Sequence, residues 1–175
     1  MANLQPTLEN DLVLIRPLHF EDFKKLYEVA SDSKIWELHQ NPDRHDLKVF
    51  KQFFIDAIAS KGALVIIDKA SDTIIGSSRY KLHEHFNKAI EIGWTFLSRE
   101  FWGGTYNKSF KTLMIDHAFK HFDYVLFHVD QNNFRSQKAV QKLGGKLIDK
   151  AGNLGHLCTP IKTGLTFYIL KPDRI

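Results

Sequence analysis

Three apolar segments in the middle of the chain follow one another through short polar connections, and this arrangement constrains the fold more than any other feature. They run from Ala63 to Asp68, from Ile74 to Leu82 and from Ala89 to Leu97. Lys69-Ala-Ser-Asp72 separates the first two and is typical of a turn. Because connections this short cannot return the chain to a parallel start, the three segments are predicted to form an antiparallel meander.

Segments with helical spacing surround this meander. Apolar residues recur at helical intervals from Phe20 to Ala30, from Leu47 to Ile58 and from Tyr106 to Ala118, and a fourth helix is predicted between a cap at Asn132 or Asn133 and a stop at Gly144-Gly145. Further strands are predicted at Leu12–Ile15, Tyr124–Val129, Lys146–Asp149 and Leu165–Lys171. We therefore predict one domain over residues 1–175, of mixed α/β class, with four helices around a mostly antiparallel mixed sheet of about six to seven strands.

Composition narrows the class of protein. The chain has 175 residues, 43% of them hydrophobic and 25% charged, which is typical of a single globular domain. The formal charge is +4, but the basic residues are scattered among 20 acids, so we expect no nucleic-acid partner. The lone Cys158, a start without signal-peptide features and the lack of a membrane-length apolar run favour a cytoplasmic protein without a membrane partner.

Two consecutive glycines stand between the third strand of the meander and the next helix, within Trp102-Gly-Gly-Thr-Tyr-Asn107. A turn of this kind places several unpaired backbone N–H groups at a helix start, where the helix dipole also favours negative charge. The arrangement suits a phosphate group. The alternative is an ordinary turn, since the lysine-containing P-loop pattern is absent from the sequence.

Four motifs in order resemble the GNAT superfamily of acetyl-CoA-dependent N-acetyltransferases, and most closely its branch of ribosomal-protein N-terminal acetyltransferases. They are Glu91-Ile-Gly-Trp-Thr-Phe-Leu97, Trp102-Gly-Gly-Thr-Tyr-Asn107, Asn133-Phe-Arg-Ser136 and Lys142-Leu-Gly-Gly145. The resemblance extends from Leu12–Pro17 to the last strand. It implies a GNAT fold splayed at the fourth predicted strand, Ala89–Leu97, and direct attack of a primary amine on the thioester of acetyl-CoA.

The resemblance also implies which residues bind acetyl-CoA. The splayed strand presents its backbone to the pantetheine at Phe96 and Leu97. Asn133 bonds the pantetheine amide, and helix capping alone is the alternative for it. The loop and the helix start bind the pyrophosphate; the loop residues and their flanking cations are Arg99, Trp102, Gly103, Gly104, Thr105, Tyr106, Asn107 and Lys108. The alternative for Arg99 and Lys108 is an exposed, solubilising cation, and for Tyr106 it is a place in the core. The family has Arg or Gln and small residues at key positions of this loop, whereas this chain has Trp102, Thr105 and Asn107, with its glycines one step earlier.

Glu91 is the candidate general base for the ammonium group of the acceptor. Strand alternation predicts that it shares a face with Gly93 and Thr95, opposite a row of apolar side chains, so that it points into a cleft. The alternatives are a solvated or salt-bridged carboxylate at Glu91, and Glu84 as the base.

Ser136 is the candidate proton donor to the departing thiolate. Many family members use a tyrosine four residues later, where this chain has Val140. The alternative is a small polar residue near a helix start. The resemblance assigns polarisation of the carbonyl to a backbone N–H near Phe96 or Leu97.

The acceptor and the assembly remain open at this stage. A peptide or protein N-terminus and a small-molecule amine offer the same nucleophile. The resemblance implies that Trp36, His39 and the Gly155-His156 loop shape the groove that selects between them, and the alternative for Trp36 is a hydrophobic plug in the core. A non-catalytic acyl-CoA-binding module and a basic RNA-associated protein are the alternative functions. No metal is expected, since His83 and His85 have no third ligand at recognisable spacing, and a homodimer is compatible with the sequence.

Overall fold

The computed structural model describes residues 2–172, and within them eight strands and four helices follow one another. In chain order they are β1 (Leu8–Glu9), β2 (Val13–Pro17), α1 (Phe23–Ala30), α2 (Leu47–Ala59), β3 (Ala63–Asp68), β4 (Thr73–Leu82), β5 (Ala89–Leu97), α3 (Tyr106–Ala118), β6 (Tyr124–Asp130), α4 (Phe134–Lys142), β7 (Lys146–Leu147) and β8 (Gly164–Leu170). The mixed α/β class and the four helices are confirmed. The strand beyond the predicted number is β1, whose two residues are too few to show an alternating pattern.

All the strands form one sheet in the order β1-β2-β3-β4-β5-β6-β8-β7. The predicted meander is confirmed, because β3 pairs antiparallel with β4 and β4 pairs antiparallel with β5. The only parallel neighbours among the described strands are β5 and β6. Since a parallel partner needs a crossover, α3 lies between these two strands in the chain.

The parallel pair is short, and the sheet opens there. Its register runs only from Ala89 opposite Tyr124 to Glu91 opposite Leu126. Beyond Glu91, β5 continues to Leu97 with no strand beside it on the β6 side. The splay predicted for this strand is therefore confirmed, and it leaves the backbone groups on one edge of β5 available to a ligand.

A β-bulge bends β5 at the same place. The register with β4 passes from Arg79 opposite Gly93 to Ser77 opposite Phe96, so β5 contains one extra residue. Trp94 takes a φ of 51°, in the left-handed region that non-glycine residues rarely adopt.

The bulge overturns part of the predicted side-chain alternation. We expected Thr95 to share a face with Glu91, but Thr95 bonds to Lys111 of α3, on the side of the sheet where Ile90 and Ile92 also pack. Phe96 lies instead on the α1 and α2 side. The extra residue reverses the alternation beyond Trp94, which a strict two-residue period cannot predict.

Two apolar layers cover the sheet. On one face α3 contributes Phe110, Met114 and Ala118, and the Tyr80 hydroxyl donates to the Met114 carbonyl oxygen at 2.7 Å. On the other face α1 and α2 enclose Trp36, which is fully buried and donates its Nε1–H to the Ala30 carbonyl oxygen at 2.7 Å. These layers fix β5 between α3 and the segment that connects α1 to α2.

Candidate active site

A cleft of about 350 Å³ lies where β5 separates from β6. Its walls come from β5, β6, the starts of α3 and α4, and the segment between α1 and α2. The residues proposed from the sequence that line it are Glu91, Phe96, Leu97, Trp102, Gly103, Asn107, Asn133 and Ser136. Those outside its lining are Arg99, Gly104, Thr105, Tyr106 and Lys108.

Glu91 lies at the last paired position before β5 and β6 part. Its side chain is 14% exposed, and its nearest basic atom is His128 Nε2, 3.8 Å from Oε2. Within residues 2–172 its carboxylate accepts no hydrogen bond. Burial raises the pKa of Glu91 to about 7, against the opposing effects of Lys81, Arg79 and Lys111. A carboxyl group with this pKa can accept a proton near neutral pH.

His128 is a cleft residue that the sequence reasoning missed. Its Nδ1 lies 2.9 Å from the Thr166 hydroxyl, which accepts the Thr159 N–H at 3.0 Å. The contact with Thr166 orients the His128 ring so that its other nitrogen, Nε2, faces Glu91. Burial lowers the pKa of His128 to about 4, so the ring is neutral at pH 7 and does not hold Glu91 in an ion pair.

Asn133 and Ser136 start α4 at the opposite wall. The Asn133 Oδ1 accepts the Ser136 backbone N–H at 3.1 Å, which is the predicted helix cap. The Asn133 Nδ2 and the Ser136 Oγ have no hydrogen-bond partner elsewhere in the described chain. Both are therefore available to a ligand in the cleft.

The glycine turn leads into α3 without a side-chain cap. No described residue accepts a hydrogen bond from the backbone N–H groups of residues 103–108. Gly103 has a φ of 71°, and a Cβ added at Gly103 or Gly104 would meet no atom within 4 Å. Six open N–H groups at a helix start fit a diphosphate such as that of CoA.

Side chains around this turn are anchored to other parts of the fold. The Trp102 Nε1–H donates to the Leu97 carbonyl oxygen at 2.8 Å, and the Tyr106 hydroxyl donates to Asp68 Oδ1 at 2.9 Å. Arg99 is paired with Asp32. Lys108 is exposed and pairs with no acid of the described chain. The side chains of Arg99 and Tyr106 thus have structural partners, whereas that of Lys108 has none.

Lys111 is a second residue that the sequence reasoning missed. It is 5% exposed, and its Nζ donates to Thr95 Oγ1 at 2.6 Å and to Ser78 Oγ at 3.1 Å. Burial lowers its pKa to about 7, with Glu91 acting in the opposite direction. The bond to Thr95 holds the residue next to the bulge. The available signal was the position of Lys111 between the apolar residues Phe110 and Met114 of α3.

The acceptor side of the cleft agrees with the expectation only in part. His39 lines it, and Trp36 is a core residue, in agreement with the alternative of a hydrophobic plug. Gly155 and His156 lie outside the lining, and Thr159 and Ile161 of the connection between β7 and β8 line it instead, together with Gly164 at the start of β8. The His156 ring packs against Phe86 at 5.4 Å.

Two properties of residues 2–172 concern possible partners. No group of three or more His, Cys, Asp or Glu side chains is arranged to hold a metal ion. No helix there combines the length and the apolar character needed to cross a membrane.

Comparison with known proteins places these features in a family. A family model described as an acetyltransferase (GNAT) domain matches residues 13–146. No curated protein sequence matches the chain significantly. The fold is similar to that of a GNAT-family acetyltransferase from Bacillus anthracis, with a TM-score of 0.74 and 17% identity over 96% of this chain and 100% of that chain.

Two other solved structures are similar over nearly the whole chain. An acetyltransferase from Agrobacterium tumefaciens has a TM-score of 0.73 and 21% identity, covering 94% of each chain. A ribosomal-protein-S5-alanine acetyltransferase from Vibrio fischeri has a TM-score of 0.66 and 16% identity, covering 96% of this chain and 98% of that chain. These likenesses show the fold, and the family model covers well over half of the chain. On these grounds, the chain belongs to the GNAT family of acetyltransferases.

Proposed function

We propose that this protein transfers the acetyl group of acetyl-CoA to a primary amine by direct attack within a ternary complex. Membership of the GNAT family implies acetyl-CoA as the co-substrate. The observation that carries the proposal is the Glu91 carboxyl, buried without a hydrogen-bond donor where β5 and β6 part, in a cleft that Ser136 also lines. A base and a proton donor thus border the same space.

Three groups of the chain would hold acetyl-CoA. The open N–H groups of residues 103–108 suit its diphosphate, and the unpaired edge of β5 around Phe96 and Leu97 suits the amides of its pantetheine arm. The free Asn133 Nδ2 suits a pantetheine carbonyl. This placement directs the thioester towards the point where Glu91 and Ser136 face the cleft.

The chemistry then needs three proton movements. Glu91 takes a proton from the ammonium group of the acceptor, directly or through a water molecule, and the neutral nitrogen attacks the thioester carbon. As the carbon–sulfur bond breaks, the nitrogen loses its second proton to solvent, and the departing thiolate takes the Ser136 hydroxyl proton, which solvent replaces. A backbone N–H near Phe96 or Leu97 stabilises the oxyanion. Cys158 lies outside the cleft lining, so no acyl-cysteine intermediate is proposed.

The place of the chain within the family is part of the proposal. The order of its motifs supports the ribosomal-protein N-terminal acetyltransferase branch, with a peptide or protein N-terminus or a small-molecule amine as acceptor. We also propose that residues 1–175 form one catalytic domain acting in the cytoplasm.

Acetyl-CoA binding and amine-dependent release of free thiol test the proposal together. Acetyl-CoA should raise the melting temperature, because a ligand bound only by the folded state stabilises it. Thiol release should require an amine, and double-reciprocal plots should intersect as expected for a ternary complex. Cys158→Ala is the control and should keep the rate. Stabilisation by acetyl-CoA without thiol release for any amine would instead indicate the non-catalytic binding module.

A further inference from the structure

Two arginines line the acceptor side of the cleft, and a third lies behind it. The Arg44 Cζ is 4.5 Å from the centroid of the Phe53 ring and 5.6 Å from that of Trp36. The Arg135 Cζ is 3.8 Å from the centroid of the Trp102 ring, and its Nη2 donates to the Ile35 carbonyl oxygen at 3.2 Å. These contacts are favourable cation–π interactions. Apart from the bond to Ile35, neither of these two guanidinium groups donates a hydrogen bond within the described part of the chain.

None of these arginines has a carboxylate within 4 Å in the described part of the chain. Arg79 is the extreme case: it is 7% exposed, and its Nε and Nη2 are buried without any hydrogen-bond partner. Its Cζ lies 4.8 Å from the centroid of Trp94, a residue that lines the cleft. Asp43, Asp56 and Glu37 act on Arg44, Arg79 and Arg135 respectively only from beyond that distance. Buried charges are normally in direct contact with an opposite charge, and none of these guanidinium groups has such a contact.

The acidic residues that line the cleft do not provide a negative charge for these arginines. The acids there are Glu91 and Asp130. The Asp130 carboxylate already accepts bonds from Asn132 N–H, the Thr163 hydroxyl and Gln40 Nε2. Glu91 binds the ammonium group of the acceptor in the proposed mechanism and does not pair with an arginine.

The pKa of His39 also indicates an excess of positive charge on this side of the cleft. It lines the cleft, and its pKa is lowered to about 4 by burial and by the positive charges of Arg44 and Arg135. A polycationic acceptor such as a polyamine would meet repulsion from these two arginines and from Lys111. An acceptor with its own negative charge would instead be attracted.

We propose that the preferred acceptor is a primary amine that also bears a carboxylate, with the carboxylate bound by Arg44 and Arg135 and the amine presented to Glu91. The proposal rests on the proposed acetyltransferase function and names the substrate class. Guanidinium groups bind carboxylates through two parallel hydrogen bonds, which fix orientation as well as add attraction. The carboxylate can come from a free amino acid or from an acidic residue near a peptide N-terminus.

The competing ligand for these arginines is CoA itself, since it carries phosphates. The open N–H groups of residues 103–108 already provide a seat for the diphosphate. Arg44 belongs to the segment between α1 and α2 and stacks on Trp36 and Phe53, which are not residues of that turn. Arg44 is therefore the more discriminating position to test.

The experiment measures kcat/KM with matched acceptors at saturating acetyl-CoA. One arm uses straight-chain ω-amino acids from glycine to 6-aminohexanoate against their amides. The other uses the dipeptides Ala-Asp, Ala-Asn and Ala-Lys with the C-terminus of each amidated, so that only Ala-Asp bears a carboxylate. We expect a preference of about tenfold or more for the carboxylate within a pair. The length of the best ω-amino acid measures the separation of the two ends, and the arm with the larger preference identifies the source of the carboxylate.

Arg44→Gln should lower the ratio of kcat/KM between each carboxylate and its amide, with Arg135 retaining part of the preference, while the KM for acetyl-CoA stays the same. Arg44→Lys, which keeps the charge and loses the planar fork, should lower this ratio less. Lys48→Gln, which removes an exposed charge from the same region, is the matched control and should change nothing. Melting temperatures verify that each variant is folded.

Equal rates for acids and amides, or a preference for Ala-Lys, would overturn the inference while leaving the acetyltransferase function intact. A raised KM for acetyl-CoA in Arg44→Gln with every acceptor would overturn it too, by assigning the arginine to CoA. A thermal shift by each ω-amino acid in the presence of CoA separates the two proposals. Carboxylate-dependent stabilisation without any acetyl transfer would support the binding site and refute the proposed activity.

Discussion

Replacing Glu91 with glutamine preserves the shape of the side chain and removes its ionisation, so one variant tests both the burial and the role of this carboxyl. Burial raises the pKa of Glu91 from its ordinary 4.5 to about 7 in the folded protein. Between these two pH values the unfolded chain releases the proton while the folded chain keeps it. The stability that Glu91 contributes is therefore complete below pH 4.5 and is lost as the pH rises to 7.

The size of this loss follows from the difference between the two pKa values. At about 1.4 kcal/mol per pKa unit, the ionised carboxylate lowers the free energy of unfolding by about 3 kcal/mol above pH 7. Glutamine cannot ionise. We expect Glu91→Gln to be more stable than the wild type by up to about 3 kcal/mol at pH 8, with the difference shrinking towards pH 5.

Urea unfolding of both proteins at several pH values between 5 and 8 measures this difference. Glu84→Gln is the matched control, since the Glu84 side chain is 70% exposed beside Lys81 and should show no such effect. In the same pH range, kcat/KM of the wild type should fall below pH 7 as Glu91 becomes protonated. The loss of a general base should lower the rate of Glu91→Gln by about 10²–10⁴-fold.

Two results would refute the reasoning separately. A stability difference that does not change with pH would show that Glu91 ionises as freely in the folded chain as in the unfolded one. Unchanged acetyl transfer by Glu91→Gln across the pH range would remove Glu91 from the mechanism. Loss of activity in Glu84→Gln would instead assign the role of general base to Glu84.

Three further predictions follow from the packing of the site. Ser136→Ala should lower kcat about tenfold or more with little change in the KM for acetyl-CoA, and it should leave the α4 cap intact because the cap uses the Ser136 backbone N–H and not its side chain. Steady-state kinetics measure this, and full turnover would exclude the serine as the proton donor. Lys111→Met should flatten the pH dependence of the free energy of unfolding between pH 7 and 10.5, because burial lowers the pKa of Lys111 to about 7 and the wild type loses stability as the pH falls through that window. Urea unfolding at pH 7, 9 and 10 tests this, and the same dependence of the free energy of unfolding on pH in both proteins would contradict it. Gly76→Ala should destabilise the fold by about 1–3 kcal/mol, because the added Cβ would lie 2.2 Å from the Phe96 carbonyl oxygen. Gly104→Ala, whose added Cβ meets no atom within 4 Å, is the control, and equal melting temperatures for the two variants would refute the steric argument.

The sequence predicted the helices and the main strands because their patterns are local. Apolar spacing from Tyr106 to Ala118 and from Ala89 to Leu97 agrees with the observed bounds of α3 and β5. The side-chain directions after Trp94 could not be predicted in the same way. They depend on one inserted residue, Trp94, whose backbone is left-handed, and on a lysine of another element that bonds the side chain of the next residue, Thr95.

The candidate site was accessible to sequence reasoning only in part. Glu91, Asn133 and Ser136 belong to motifs, so their meeting in one cleft follows from the resemblance. His128 and Arg44 carry no local signal, and the signal of Lys111 is only its position between two apolar residues of α3. The reason is that strand β6, helix α3 and the segment before α2 come together only in the fold. Their burial and their charges, which set the chemistry of the cleft, are tertiary properties.

The split beside Glu91 also divides the sheet mechanically. Strands β1 to β5 form one half and β6, β8 and β7 the other, and the three-residue ladder from Ala89 to Glu91 is the only strand-to-strand connection between them in the described chain. A molecule that lies in the gap and bonds to both halves would add a second connection between them. Its binding would then restrict the motion of one half of the sheet relative to the other, and its release would permit that motion again.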